Sequence, residues 1–462
     1  MKKFLTLLLT VIMSVSCCFG LVACGPQGEG ERVGEVEFPA VQSSVFTQYD
    51  DKEIADDFKI ALICLHGETS TYDKNFIDAF KKAVATFGLS ESQYTIVTDV
   101  PESDECYNKA KEFAQQGYKA IFANSFGHDA YMKKAASEFP NVQFYHATGV
   151  SAHVDDTFGV LPNYHNAFAS IYEGRYLAGV AAGLKLAEMQ QQGKIKAENK
   201  DAQGNVKIGY VGAFTHAEVI SGLTSFYLGV KSQFPNVVMS VQFTGSWYDE
   251  AAEKSAAELL ISEGCALISQ HADSWGAPSA CENAGIPNIS YNGSTIKNCP
   301  DTFIISSKID WTYYYKWIIA SVGSDAPAIP TDYAGGLSDS CMVAMSNANG
   351  DAMAAGTIEK LTEVRQQLID GTIKVFDCSK FTVTVRKTQI QELPPLNPNA
   401  EVDEYNHLVS YMADTDGDYI GDTNVIKTEG GITYFAESHA DFRSAPFFDL
   451  QIDGITFLNT KF

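Results

Sequence analysis

Four side chains able to bind or react with a small molecule stand just after predicted strands. Trp247 follows the stretch 241–243, and His271, Asp273 and Trp275 follow the stretch 266–269. A histidine near an aspartate also occurs in hydrolytic sites, but no Gly-x-Ser-x-Gly motif or metal-spaced histidine pair accompanies this one. We therefore interpret the four residues as ligand contacts, and the alternative for Asp273 is the N-cap of the next helix.

Charge and composition restrict the class of partner. The 462-residue chain carries 57 Asp and Glu against 33 Lys and Arg, which gives a formal net charge of -24. Such an acidic protein repels the phosphates of nucleic acids and anionic lipid headgroups. We therefore expect no nucleic-acid partner, whereas the charge does not discriminate among small-molecule ligands.

The N-terminal residues have the order of a signal peptide, with Lys2 and Lys3 before an apolar run at 5–13 that is too short to span a bilayer of ~30 Å. The following Leu21-Val22-Ala23-Cys24-Gly25 resembles the lipobox of bacterial lipoproteins, whose thiol accepts a diacylglyceryl group. We expect a signal peptide at 1–23, lipidation at Cys24 and a flexible tether at 24–57. The protein would then lie on the extracytoplasmic face of the cell membrane; the alternative is an ordinary secretory signal.

Hydrophobic patterns predict an α/β fold. Short β-rich runs alternate with helical stretches from residue 59 onward, and this alternation is typical of parallel sheets covered by helices on both faces. The pattern starts again after residue 173, so we expect two lobes with a cleft between them that closes about a hinge. The predicted strands are 59–65, 94–97, 120–123, 206–212, 237–243, 266–269 and 287–291, and the predicted helices are 75–83, 107–116, 173–192 and 251–263.

The domain boundaries follow from these elements. We predict an N-terminal lobe at 58–160 with a return segment near 300–335, a C-terminal lobe at 161–298, and lobe-crossing segments at 336–390. A C-terminal extension of unknown role covers 391–462. Within it, Asp414-Thr415-Asp416-Gly417-Asp418 resembles the start of a calcium loop. Tyr419 and Val425 replace the glycine and glutamate that such a loop needs, so we predict an acidic surface turn, no metal and no cofactor.

Several motifs in a fixed order resemble the BMP (basic membrane protein, PnrA-like) family of substrate-binding lipoproteins of ABC transporters. They include Tyr72-Asp73-Lys74-Asn75-Phe76, the run Glu-Gly-Arg-Tyr-Leu-Ala-Gly at 173–179, and Gly245-Ser246-Trp247-Tyr248-Asp249. The resemblance covers about residues 58–380. It implies a type I periplasmic-binding-protein fold with two Rossmann-like lobes. It also implies a small-molecule ligand, a purine nucleoside in the best-understood relatives, that is passed to an ABC permease and its ATPase.

The resemblance also implies roles for particular residues. Phe76 matches an aromatic residue near the base, and the alternative is a phenylalanine of the core. The family has a polar residue directly after this aromatic, where this chain has Ile77. Asn75, directly before Phe76, is the candidate to replace that polar residue. Asp129 matches a carboxylate that accepts from a base amine, although an acidic residue at a helix N-terminus would serve the helix dipole equally well. The further candidates are Phe126, Asn292 in place of an acidic ribose-binding residue, Lys308 as a cationic contact, and Phe214 or Trp275 for a missing aromatic.

The leading hypothesis is therefore an uptake binding protein for a purine nucleoside, without enzymatic activity. A binding protein for a sugar or a free base is the alternative ligand, and a ligand sensor that signals to a membrane partner is the alternative role. An enzyme using His271 and Asp273 is disfavoured because we find no nucleophile or metal motif beside them.

Overall fold

The computed structural model describes residues 32–41, 43–338, 342–390, 395–438 and 441–462. The chain divides into two units, Met1–Arg32 and Val33–Phe462, and the second is described below. The predicted signal peptide at 1–23 and the predicted lipidation site Cys24 lie outside the described residues. Among the helices of the described part, none combines the length and the hydropathy that crossing a membrane requires.

Twenty strands occur in the described residues. In chain order they are β1 (Glu35–Val36), β2 (Ile60–Ile63), β3 (Tyr94–Val97), β4 (Ala120–Ala123), β5 (Gln143–Ala147), β6 (Tyr164–Ala169), β7 (Val206–Gly212), β8 (Val237–Phe243), β9 (Ile268–His271), β10 (Asn288–Tyr291), β11 (Phe303–Ile309), β12 (Asp332–Gly335), β13 (Val343–Met345), β14 (Ala348–Asn349), β15 (Ala400–Val402), β16 (Leu408–Ala413), β17 (Thr423–Asn424), β18 (Ile426–Glu429), β19 (Ile432–Phe435) and β20 (Ile455–Phe457).

Nine α-helices occur in the same residues. They are α1 (Thr71–Thr86), α2 (Asp104–Gln115), α3 (Asp129–Glu138), α4 (Ile171–Gln191), α5 (Ala217–Gln233), α6 (Glu250–Ser262), α7 (Gly276–Ala284), α8 (Thr312–Gly323) and α9 (Thr357–Ile369).

The first lobe is built on a six-stranded sheet in the order β12-β6-β5-β4-β2-β3, and every neighbouring pair is parallel. Alternate residues of β2 enter different cores. Ile60 and Leu62 belong to one apolar cluster, and Ala61 and Ile63 belong to another. Both faces of the sheet are therefore covered, as the continuous apolar runs of the sequence predict.

The second lobe is built on a seven-stranded sheet in the order β13-β11-β10-β9-β7-β8-β20. All pairs are parallel except β11 with β13. Helices α4 and α5 pack very closely on this lobe. A Cβ built at Gly179 on α4 would lie 2.1 Å from the carbonyl oxygen of Phe226 on α5. Gly179, the last residue of the run 173–179, is therefore required by helix packing.

Two continuous segments of the described residues pass from one lobe to the other, from β6 to α4 and from β11 to α8. We refer to this region between the lobes as the hinge. Strand β12 belongs to the first sheet, and β13, the next described strand, belongs to the second. Two predicted boundaries are corrected by this topology. The first lobe continues past residue 160 through β6, and β11 belongs to the second sheet, so the return to the first lobe begins with α8 rather than near residue 300.

The predicted tether at 24–57 is also corrected for its described part. Strand β1 pairs with β14, and the Tyr49 ring stacks on Tyr313 and Trp317 at centroid distances of 6.2 and 6.1 Å. Phe38 and Tyr49 are each only 8% exposed. This segment is packed because its aromatic side chains find apolar partners, a contact that composition alone did not predict.

The C-terminal extension, residues 391–462, reaches both lobes. Its last strand, β20, pairs with β8 in parallel, and the Ser444 hydroxyl accepts from the Asn166 amide at 3.0 Å on the first lobe. Ser438 and Ser170 hydroxyls lie 2.7 Å apart beside the hinge. The extension therefore braces the hinge side of the molecule instead of forming a separate domain.

Glu437 holds part of the extension in place, and its buried carboxyl group should make the stability of the protein depend on pH. One of its oxygens accepts from the backbone N–H groups of Phe447 and Phe448 at 3.3 and 2.8 Å. Burial raises its pKa to about 7. The unfolded chain releases this proton near the ordinary carboxyl pKa of about 4.3, so the contribution to stability is present below that pH and is lost as pH rises through about 7.

The free energy of unfolding of the parent should fall relative to that of Glu437→Gln as pH rises from 5 to 8, because the amide has no proton to lose. We expect the difference between the two proteins to change by roughly 1–2 kcal/mol in favour of the variant. Urea unfolding at both pH values measures the difference. Glu404→Gln on the exposed surface of the same extension is the matched control and should show no such gain. An equal pH dependence in all three proteins would contradict the prediction.

Candidate functional site

Residues that follow the strands of both sheets line one cavity between the lobes. The first lobe contributes Tyr72, Asp73, Ser125, Phe126 and Thr148, together with Leu65 and His66, and the second lobe contributes Glu218, Trp247, His271, Asp273 and Tyr291. The carboxyl ends of parallel strands are where ligands bind in such folds. This cavity is therefore the candidate site.

The lobes are closed over the site. Thr71 on α1 donates its backbone N–H to the carbonyl oxygen of Asp273 at 3.1 Å, and the Asn75 amide donates to Asn292 Oδ1 at 3.2 Å. The enclosed space is about 20 Å³, little more than one water molecule needs. A ligand of nucleoside size therefore requires the lobes to open or the side chains to move.

Aromatic rings form much of the wall. Tyr72 donates its hydroxyl to the carbonyl oxygen of Asn124 at 2.6 Å, which holds the ring at the end of β4. Trp247 contacts Phe214 edge-on at a centroid distance of 4.9 Å, and the His271 ring lies 4.1 Å from that of Tyr291. Rings from both lobes are thus available to stack on a flat ligand.

Three carboxylates face the same cavity, those of Asp73, Glu218 and Asp273. The Asp73 carboxylate accepts from the Asn124 amide at 2.8 Å and from the backbone N–H of His66 at 3.1 Å. Burial raises the pKa of Asp73. Burial, together with nearby Asp73 and other carboxylates, raises the pKa of Asp273 well above its usual range. No Lys or Arg is among the lining residues, so the described cavity favours ligands with hydrogen-bond donors and disfavours anions.

His271 is held as a neutral ring. Its Nε2 lies 3.5 Å from Glu218 Oε1, yet burial lowers its pKa below the ordinary value. A neutral imidazole offers one donor and one acceptor, which suits recognition of a polar ligand.

Some buried polar atoms of the described residues lack a hydrogen-bond partner at this site. They include the hydroxyls of Thr148 and Tyr291, the amide nitrogen of Asn292 and both ring nitrogens of His271. Thr148 and Asn292 also have positive φ angles of 70° and 61°, a conformation that is costly for a β-branched residue such as threonine. Unpaired polar groups and local strain together mark positions where a ligand would complete the structure.

Arg175 supports the site from below. Its side chain is fully buried and donates to the hydroxyl of Ser307, the hydroxyl of Ser269 at 2.7 Å and the carbonyl oxygen of Ser290. These three residues lie on β11, β9 and β10. The guanidinium therefore ties together the ends of the strands that carry His271 and Tyr291.

The sequence model of the family "ABC transporter substrate-binding protein PnrA-like" matches residues 60–374. The chain belongs to this family. The resemblance inferred from the ordered motifs is thereby confirmed, and the C-terminal extension lies beyond the matched residues.

Two curated relatives of this PnrA-like family member differ in what they are named for. A purine-binding protein of Brucella abortus is 32% identical over 237 residues, which are 51% of this chain and 60% of that protein. A putative ABC transporter glucose-binding protein of Haloferax volcanii is 30% identical over 225 residues, 49% of this chain and 50% of that protein. The matched part thus spans only half to three fifths of these relatives.

Solved structures support the fold. An ABC transporter system solute-binding protein from Aeropyrum pernix K1 superposes with a TM-score of 0.53 at 16% identity, over 69% of this chain and 93% of that one. A transcriptional activator of the comK gene from Bacillus halodurans gives 0.52 at 15% identity, over 68% and 99%. At such identities the likeness bears on the fold alone. The predicted type I periplasmic-binding-protein fold, with two Rossmann-like lobes, is confirmed.

Four of the predicted contact residues line the cavity, namely Phe126, Trp247, His271 and Asp273. Asn75 and Asn292 are not lining residues, and the Asn75 amide donates a hydrogen bond to Asn292 across the lobes. Their roles toward a ligand stay predictions, because their positions show access and not binding.

The structure corrects two predictions in the first lobe. Phe76 is fully buried in the core and stacks on Trp311 at a centroid distance of 4.5 Å, so Tyr72, one helical turn earlier, faces the cavity instead. The Asp129 carboxylate accepts from Ser151 through its backbone N–H at 3.1 Å and its hydroxyl at 2.7 Å. It also accepts from the Val150 N–H and the Tyr164 hydroxyl. Its acceptor capacity is used to hold the loop 149–151.

Two predictions in the second lobe are also corrected. Trp275 is the N-cap residue of α7, and its carbonyl oxygen accepts from Ser279, whereas its ring is not part of the cavity wall. Lys308 lines a different surface groove beside Glu37 and Asp310. In β11 the side chains alternate between faces. The neighbouring Ser307 hydroxyl contacts Arg175, so Lys308 lies on the opposite face of the sheet.

Sequence reasoning missed the other eight lining residues, which are Leu65, His66, Tyr72, Asp73, Ser125, Thr148, Glu218 and Tyr291. Tyr72 and Asp73 lie in a motif of the sequence analysis, and Tyr291 ends a predicted strand, but the hydrophobic pattern does not show which side of α1 or β10 meets the cleft. Thr148 and Glu218 lie outside the motifs and predicted strands, so no sequence signal pointed to them. Asp414, Asp416 and Asp418 do place carboxylate oxygens within 4.8 Å of one another. Asp414 is already paired with Arg443 at 2.7 Å, and the absence of a metal there stays a prediction.

Proposed function

We propose that this protein is the substrate-binding component of an ABC transporter and captures a purine nucleoside in the cleft between its lobes. The observation that carries the proposal is the meeting of aromatic rings, three carboxylates and unpartnered hydroxyls from both lobes in one cavity. Stacking contributes about 1–3 kcal/mol per stacked base, and carboxylates accept from the ribose hydroxyls and base amines. The Brucella abortus relative named as purine-binding supports this ligand class.

A sugar is the second candidate ligand. The Haloferax volcanii relative named as putative glucose-binding favours it, and the carboxylates would accept from sugar hydroxyls as readily as from ribose. A free base and a sensory role stay alternatives within the same architecture. In each of these functions the ligand is bound and released without chemical change.

Thermal-shift measurements with adenosine, guanosine, inosine, adenine and glucose test the ligand. A nucleoside at about 100 times its Kd adds about 2.7 kcal/mol by mass action and should raise the unfolding midpoint. Trp247→Ala should weaken nucleoside binding about tenfold in calorimetry without unfolding the protein. The partly exposed Trp317, on α8 away from the cavity, provides the control Trp317→Phe. A midpoint raised by glucose alone would refute the nucleoside proposal.

We also propose that a lipid on Cys24 anchors the protein to the extracytoplasmic face of the membrane, close to a permease and its ATPase. The support is the sequence of the N-terminal residues, Leu21-Val22-Ala23-Cys24-Gly25. The substitution Cys24→Ser should shift the protein from the membrane fraction to the soluble fraction, as measured by cell fractionation. Retention of the variant in the membrane fraction would refute the anchor.

A further inference from the structure

A second cavity adjoins the candidate site. It has a volume of about 180 Å³, and its wall shares Phe126, Thr148 and Glu218 with the cavity between the lobes. Its opposite wall comes from the C-terminal extension, through Tyr419, Arg443 and the segment 445–446. Residues outside the matched family segment 60–374 thus border the site that the family segment forms.

This wall is held in place by its own contacts and by the first lobe. The Arg443 guanidinium donates to Asp414 at 2.7 Å and to the carbonyl oxygens of Ala445 and Pro446. Gly417 lies against the first lobe so closely that a Cβ there would stand 1.9 Å from the carbonyl oxygen of Val150. The wall is therefore positioned before any ligand arrives, which lowers the entropic cost of using it.

The chemistry of the second cavity differs from that of the first. Phe126 and His216 stack at a centroid distance of 5.3 Å on one side, and Val150, Ala445 and Pro446 add apolar surface. The charge of Arg443 is matched by Asp414, and Glu218 faces the shared wall, so an anionic group gains no cation here. An uncharged flat or apolar group fits this lining.

One buried polar atom points to an occupant. Thr148 is 3% exposed and lines both cavities, and its hydroxyl has no hydrogen-bond partner among the described residues. Such an orphaned hydroxyl costs free energy unless a ligand satisfies it. Its position between the cavities is where a ligand that extends from one into the other would pass.

We propose that the C-terminal extension forms a second ligand subsite, which accepts an uncharged apolar or aromatic substituent carried by the molecule bound in the cleft. The proposal rests on the proposed function for the nature of the group in the cleft. The protein therefore selects substituted ligands over the bare parent molecule, and Tyr419 at the outer edge of the subsite covers the substituent.

The test compares adenosine with N6-benzyladenosine and with 5′-benzyl-substituted adenosine by calorimetry on the purified full chain. At least one benzyl compound should bind about tenfold more tightly than adenosine, since burying a phenyl ring removes much apolar area from water. In Tyr419→Ala this preference should fall at least threefold. Tyr419 is 83% exposed, so its replacement leaves the core intact.

The control variant is Tyr405→Ala, because Tyr405 is also an exposed tyrosine of the extension and lies outside the second cavity. Its preference for the benzyl compound should equal that of the parent protein. Equal affinity for adenosine and both benzyl compounds would overturn the subsite while leaving the proposed function intact. Binding of glucose and of no nucleoside would overturn the proposed function and, with it, the nucleoside form of the subsite.

Discussion

Replacing Arg175 by alanine is expected to lower the free energy of unfolding by about 3–5 kcal/mol. The guanidinium is fully buried and donates to groups on three neighbouring strands. It also lies over the rings of Tyr210, Phe226 and Tyr291 at 5.2–5.5 Å. Alanine leaves several buried acceptors without a donor and opens a cavity among these rings, and both effects destabilise a packed core.

Urea unfolding followed by circular dichroism measures this loss. Gln190→Ala, at an exposed position of the same helix, is the control and should change stability by less than about 0.5 kcal/mol. If Arg175→Ala does not fold, Arg175→Lys provides the measurement, because lysine keeps the charge but cannot reproduce the planar donor set. An unchanged unfolding midpoint for either variant would show that Arg175 does not hold the strand ends.

Asp273→Asn is expected to change stability and ligand affinity in opposite directions. Burial and the neighbouring carboxylates raise the pKa of Asp273 well above its usual range, so its ionised form is costly in the folded protein. The parent protein therefore loses stability as pH rises from about 4 through the raised pKa, whereas the amide has no charge to desolvate. At pH 8 we expect the variant to be more stable by about 1–3 kcal/mol.

Where pH is high enough for Asp273 to be ionised, the same substitution should weaken adenosine binding by about 10–100-fold, since hydrogen bonds to a charged acceptor contribute about 1.5–3 kcal/mol. Chemical unfolding and calorimetry on the same preparation give both quantities. The exposed Asp57, on the first lobe, provides the control Asp57→Asn, which should alter neither. A variant that loses stability and keeps its affinity would show that Asp273 is a structural carboxylate and not a ligand contact.

Opposite effects at one residue are expected where a site is organised for its ligand rather than for stability. Asp73, Glu218 and Asp273 are held close to one another when the lobes are closed. The negative charges of ionised carboxylates at these positions repel one another. A ligand that donates hydrogen bonds to the carboxylates offsets this repulsion, whereas the negative charge of a phosphate group adds to it. The closed form is therefore favoured by donor-rich neutral molecules, in line with the proposed nucleoside.

The regular elements of both lobes could be predicted from the sequence. Strands β3, β4 and β8 have the bounds that the sequence pattern predicts. Strand β4 is apolar and buried throughout, as expected of a central parallel strand, whereas β8 alternates buried and half-buried residues. Ordered motifs such as the run 173–179 predicted the family, and Gly179 shows why that run is restrictive. Its glycine lets two helix backbones approach within a distance that no other residue allows.

The sequence by itself thus determined the α/β class, the two lobes and the cleft with Trp247, His271 and Asp273 at strand ends. Only the tertiary structure decided which neighbour on a helix or strand faces the cavity. Tyr72 replaces Phe76 there, and Lys308 faces a separate groove. The physical reason is that local patterns fix the period of an element, whereas its rotation and its partners depend on contacts made far along the chain. The C-terminal extension shows this most clearly, since its wall beside Thr148 is formed by residues about 270 to 300 positions away along the chain.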